Sequence, residues 1–164
     1  MLDDLVQDSF VCPADYKEPK KYIPIYQVTL VRDGSVKTND KNLTTPRQAF
    51  EILKDYFGDT DREHFVTILL NTKNKIIGIN TVSIGSLSAS IVHPRELFKS
   101  AMLCNAASVV LSHNHPSGDP APSQEDLEIT RRLVDAGKVL GIDIRDHIIV
   151  GDDIFFSFRE KGLI

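Results

Sequence analysis

The residues best suited to chemistry lie in one run, Ser112 to Asp126, which reads SHNHPSGDPAPSQED. His113 and His115 are two apart, and on an extended strand residues i and i+2 project from the same face, so both imidazoles converge at one strand end. Asp126 comes after a loop dense in proline and glycine, HPSGDPAP, which is long enough to fold the first turn of a following helix back over that end. Two imidazoles and one carboxylate with a position left open are the ligand count of a catalytic zinc site rather than a structural one. Zinc with an open position binds water and lowers its pKa from 15.7 toward about 7, which gives hydroxide near neutral pH. The cysteines, Cys12 and Cys104, stand far apart without CxxC spacing, so a metal here is held by His and carboxylates.

Such a site also needs a proton carrier, and beside zinc that is usually a glutamate. Glu63 stands immediately before a strongly apolar stretch, HFVTILL, from which it could emerge at the same sheet edge; taken by itself it is a surface residue ahead of a strand. Ser123 offers a hydroxyl to an oxyanion forming on a substrate carbonyl. The spacing Ser123-x-x-Asp126 also describes a helix capping box with Asp in the place of Glu, and the two roles are compatible. His147 is either a partner standing behind the metal or a strand histidine hydrogen-bonded in place. His64 and His93 read as structural, and Asp119 as a brace of its loop through Asx-type bonds. The hydroxyl-rich SIGSLSAS is a polar connection or the lining of a groove for an extended substrate.

The elements that must position these residues follow from local patterns. Residues 1 to about 21 lack periodicity and form an irregular arm; YIPIYQVTLVRDGS alternates and predicts an edge strand, because Pro24 cannot donate to a ladder. Thr45 and Pro46 look like an N-cap and first helical residue, followed by apolar residues at helical spacing until Gly58. A hairpin is expected through the Asn71 to Lys75 turn, then a helix opening at Pro94, a short buried strand ASVVLSH, a helix from Ser123 to about Lys138, and two closing strands around Gly151 to Asp153. Strands and helices mix without strict alternation, so an α/β fold with a mixed sheet is expected. Residues 1–40 are expected to be the arm and edge strand, and 41–164 the domain.

A chain of 164 residues with 41% hydrophobic content can bury one substantial core. The N-terminal MLDDLVQDSF carries acids where a signal peptide carries bases, and no apolar run of about 18 residues occurs, so a cytoplasmic protein with no membrane contact is expected. A net charge of −4 gives no general pull toward nucleic acid. The one basic cluster, Lys17, Lys20 and Lys21, reads as a solvated arm.

The His113-x-His115 pair, Ser123 and Asp126, with Glu63 upstream, resemble the JAMM/MPN-plus signature. Wider similarity runs from Arg62 to Ile164: REHFVTILLNTKN, SIGSLSASIVHPRELFKSA, SHNHPSGDPAPSQED and RDHIIVGDDIFFSFREKGL look like the bacterial RadC family. The helix-hairpin-helix DNA-binding region usual in that family has no counterpart here. The resemblance implies that His113, His115 and Asp126 bind Zn2+, that Glu63 is the general acid/base, and that Ser123 stabilises the tetrahedral intermediate. It also implies a cytidine-deaminase-like JAMM/MPN fold, a mixed sheet covered by helices on both sides. Asn114, between the histidines, is usual for RadC and differs from the Ser or Thr of eukaryotic deubiquitinating relatives. The expected function is a zinc-dependent peptidase or amidase acting on a peptide or protein substrate. The alternative is a DNA-repair or mobile-element accessory protein acting on or near DNA. A zinc deaminase would need H-x-E and P-C-x-x-C, and neither is present.

Overall fold

The computed structural model describes residues 23–38, 41–85 and 92–164. The expected arm with Cys12 and its lysines, and the segment 86–91, which holds most of the hydroxyl-rich SIGSLSAS connection, lie outside the described residues. Among the described residues, three helices and five strands follow in the order α1 (Pro46–Phe57), β1 (His64–Leu70), β2 (Ile76–Ile84), α2 (Pro94–Leu103), β3 (Ser108–Asn114), α3 (Gln124–Leu140), β4 (Asp143–Val150) and β5 (Phe155–Ser157). The strands form one sheet in the order β2-β1-β3-β4-β5. All pairs are antiparallel except β3 with β4, so the sheet is mixed. That parallel pair is joined through α3, the crossover a parallel connection requires.

Strand alternation builds two apolar layers. On one face Phe65, Leu69, Val109 and Leu111 pack with Leu97 and Phe98 of α2 and Leu133 of α3. On the other, Val66, Ile68, Leu70, Val110 and Ile148 pack with Phe50, Leu53 and Phe57 of α1. Each such side chain taken fully out of water contributes about 1.5–3 kcal/mol. β1 and β3 are buried along almost their whole length because helices cover both faces. The helices start where their caps dictate: Thr45 and Gln48 close a capping box ahead of α1, the His93 side chain accepts from Arg95 N ahead of α2, and Ser123 with Asp126 closes a second box at α3. None of the helices among the described residues is long and apolar enough to cross a membrane.

The expected edge strand over 22–32 is corrected by the structure. Residues 23–38 carry no strand or helix, and Ile25 and Val31 are 98% and 86% exposed. Alternation and β-branched content report how well a segment suits an extended backbone. A strand exists only when a ladder partner takes up its amides, and among the described residues the one bridge of this region is Asn42 to Lys75, farther along the chain.

Candidate metal centre

β3 runs through the middle of the sheet and carries His113 fully buried at its C-terminal end, with His115 just beyond. The His113 ring lies nearly parallel to Phe65, its cross-strand neighbour on β1, at 5.9 Å between centroids. Behind it a hydrogen-bonded relay fixes where its protons sit. Thr130 Oγ1 donates its only hydrogen to the Asp126 carbonyl at 2.6 Å, so at 2.6 Å from His147 Nδ1 it accepts. His147 therefore carries its proton on Nδ1. Burial pushes the His147 pKa well down, so the ring is neutral and Nε2 is bare. That bare nitrogen accepts from His113 Nδ1–H at 2.9 Å, which leaves His113 Nε2 with a free lone pair. His115 reaches the same state by another route, since its Nδ1–H donates to the Asp119 carbonyl at 2.7 Å.

The two bare Nε2 atoms stand 3.0 Å apart. Asp126 Oδ1 lies 3.1 Å from that of His113, and Oδ2 lies 3.6 Å from that of His115. Oδ1 is buried and has no hydrogen-bond partner among the described residues, as the tautomer of His113 requires. Burial works to raise the Asp126 pKa, but His113 and His115, which turn from acceptors to donors when they are protonated, and the Ser123 hydroxyl hold the carboxyl well below the usual range, so it is ionised. Three acceptors thus face one another with no hydrogen among them. A divalent cation is the species that satisfies all three, and ligands about 2.0–2.1 Å from a tetrahedral zinc stand roughly 3.3 Å from each other, close to these spacings. The residues fit the metal. Without it, the tendency to take a proton falls on His115, whose pKa is raised by its contact with Asp126 against a smaller lowering by burial.

Asp126 is aimed by the start of α3. Its Oδ2 accepts from Ser123 N at 2.8 Å and from Ser123 Oγ at 2.7 Å, while Ser123 Oγ accepts from Asp126 N at 3.1 Å. The capping box therefore turns the second carboxylate oxygen toward the histidines. The loop before it is braced from β4: His115 N donates to Val150 O, and Asp152 N to Gly118 O. The approach is so close that a Cβ on Gly151 would sit 2.2 Å from Gly118 O. Asp119 Oδ1 accepts from Ala121 N at 2.9 Å, the Asx-type bond expected of it.

Residues 43–163 match the RadC-like JAB domain family. The chain belongs to that family. Similar curated proteins include a UPF0758 protein of Desulforamulus reducens, 54% identical over 119 residues, covering 73% of this chain and 52% of the relative. One of Caldanaerobacter subterraneus subsp. tengcongensis is 51% identical over 137 residues, 82% of this chain and 59% of the relative. One of Methanosarcina mazei is 47% identical over 140 residues, 85% of this chain and 61% of the relative. The chain thus spans between half and about three-fifths of the length of these relatives.

Within this RadC-like domain the structure brings His113, His115 and Asp126 into one cluster whose ligand atoms lie within 4.8 Å of one another. It places Glu63 one step before β1, half-buried, two residues ahead of Phe65, which pairs with His113. The Glu63 charge reaches both imidazoles and adds to their proton affinity. Ser123 lies in the cluster with its hydroxyl hydrogen on Asp126. His147 stands behind His113, and His93 caps α2. Two residues were not anticipated from sequence: Thr130, which closes the relay, and Asn114, which bonds across to the segment around Glu63. Thr130 lies four residues after Asp126 on the same helical face, but nothing in that spacing names His147 as its partner. The clefts of about 470 and 270 Å3 elsewhere on the surface share Arg145 and Arg159 and include none of these residues.

Proposed function

We propose that this RadC-like domain is a zinc-dependent hydrolase of amide bonds, a peptidase or amidase acting on a peptide or protein substrate. The observation that carries this reading is the set of three acceptors, His113 Nε2, His115 Nε2 and Asp126 Oδ1, which face one another with no donor between them. His113, His115 and Asp126 hold the ion. Zn2+ bound there supplies Lewis acidity toward a carbonyl oxygen and lowers the pKa of water. Glu63, two residues ahead of the Phe65 that pairs with His113, accepts the proton of the attacking water and returns it to the leaving nitrogen. Ser123 is assigned to the oxyanion: once a cation takes up the charge of Asp126, the hydroxyl now given to Oδ2 is released to donate to the substrate. Phe65 and Phe158 stack on the imidazoles of His113 and His147 and keep water from the back of the site.

The test is metal analysis of the purified chain, followed by incubation with a panel of peptides, protein conjugates and nucleic acids with and without chelator. About one zinc per chain and chelator-sensitive cleavage of an amide are expected, with Glu63→Gln retaining the metal and losing turnover. Chelator-sensitive cleavage of DNA alone would overturn the amide reading and leave the metal site standing. Full turnover in Glu63→Gln would remove Glu63 from the mechanism.

A further inference from the structure

Asn114 lies between the two histidine ligands, and strand alternation turns it to the opposite side of β3. It is 7% exposed, and among the described residues its side chain makes three hydrogen bonds, all to the segment that enters β1. Its Oδ1 accepts from His64 N at 2.7 Å, and its Nδ2 donates to Arg62 O at 3.1 Å and to Thr60 Oγ1 at 2.9 Å. Two of these bonds grip the residues immediately before and after Glu63. On the β3 side the ladder gives no help here, because the β1–β3 register ends at the Phe65–His113 pair and residues 60–63 belong to no strand. The Glu63 carbonyl is tied separately, to Gly85 N at 2.9 Å. A carboxamide suits the task, since it supplies an acceptor for one backbone amide and donors for a carbonyl and a hydroxyl. An aspartate has no donors, and serine or threonine offers one.

We infer that Asn114 is a positioning residue that clamps the Glu63 segment to the end of β3, so that one strand sets both the metal ligands and the reach of the proton carrier. The inference rests on the reading of Glu63 given above. Asn114 touches neither ligand's ring, so its loss leaves the metal held by His113, His115 and Asp126, with their own hydrogen bonds intact.

The experiment uses the full chain loaded with Zn2+, and Co2+ as a spectroscopic stand-in, with Asn114→Ala, Asn114→Asp, Glu63→Gln and the Asn114→Ala/Glu63→Gln double variant. Amide hydrogen exchange at His64 is expected to quicken at least about tenfold in Asn114→Ala as the local structure opens. Asn114→Asp, which keeps the acceptor for His64 N and loses both donors, is expected to fall between Asn114→Ala and wild type. Metal content and the Co2+ absorption bands stay as in wild type. A displacement near 1 Å is expected to lower kcat about 100-fold, with KM changed less than about twofold. The double variant is expected to be no slower than Glu63→Gln alone. Unchanged exchange over residues 60–64, or rate losses that multiply in the double variant, would overturn the clamp. If wild type shows no chelator-sensitive hydrolysis, the reading of Glu63 fails by itself, and the exchange measurement still decides whether Asn114 holds the segment.

Discussion

Replacing Thr130 by valine keeps the volume of the side chain and deletes one oxygen, and the relay predicts where the cost falls. Thr130 and His147 are both buried, so water cannot replace the lost acceptor. If His147 keeps its proton on Nδ1, a buried donor is left without a partner, at about 1–3 kcal/mol. If the proton moves to Nε2, His147 becomes a donor toward His113 Nδ1, and His113 must then carry its proton on Nε2, among the ligand atoms. In the metal-free protein that exchange is relieved, because the new His113 Nε2–H points at Asp126 Oδ1, 3.1 Å away and otherwise unpartnered. In the zinc-loaded protein there is no such relief, since Nε2 must be bare to bind. The penalty therefore falls on the loaded form, and at 1.4 kcal/mol per factor of ten it weakens zinc binding roughly 5–150-fold. Thr130→Ser restores the hydroxyl and should bring affinity back near wild type. Competition against a chromophoric chelator at neutral pH measures all three proteins. Equal affinity in Thr130→Val and wild type, or a serine variant as weak as the valine one, would refute the relay.

Two further outcomes are expected. In chelator-treated protein, burial holds His113 and His147 below their ordinary pKa, so the unfolded chain takes up protons first. Their contribution is present above about pH 6.5 and is lost as pH falls below it. Asp126, held low, adds stability that is present above about pH 3.9 and is lost under stronger acid. His115, raised, opposes this by favouring the fold below about pH 6.5 and fading as pH rises, but it is one group against two. The urea midpoint of the metal-free protein should therefore fall between neutral pH and about 5.5, and a midpoint that climbs would contradict these assignments. Gly137→Ala should destabilise although it lies within α3, where helix propensity alone favours Ala by about 1 kcal/mol. A Cβ there would meet the Ile142 carbonyl oxygen at 2.5 Å and Phe98 at 3.3 Å, and overpacking of about 1–3 kcal/mol outweighs the gain. A calorimetric midpoint above wild type would show that this α3–β4 contact yields easily.

The sequence by itself determined the parts that depend on neighbours along the chain. Thr45, Pro46 and Gln48 define the start of α1, Ser123 and Asp126 the start of α3, and the spacing of His113 and His115 puts both on one strand face, because caps and strand alternation are settled within a few residues. The apolar runs of β1 and β3 likewise announced strands covered on both sides. Only the tertiary structure decided matters that involve partners remote in sequence. The segment 22–32 has the composition of a strand, yet its described part, 23–32, has no ladder, because pairing depends on what lies beside it. The segment around Glu63 is carried to the histidine end of β3 by the antiparallel pairing of β1 on β3, with Asn114 bonding across 50 residues to His64, a separation no local pattern encodes. The proton positions of the histidines follow from hydrogen bonds that Thr130 Oγ1, His147 Nε2 and the Asp119 carbonyl accept, the one hydroxyl hydrogen of Thr130 being already given to the Asp126 carbonyl. Residue type tells which atoms are able to bind a metal; which of them have a lone pair left to do so is settled by the neighbours that folding brings.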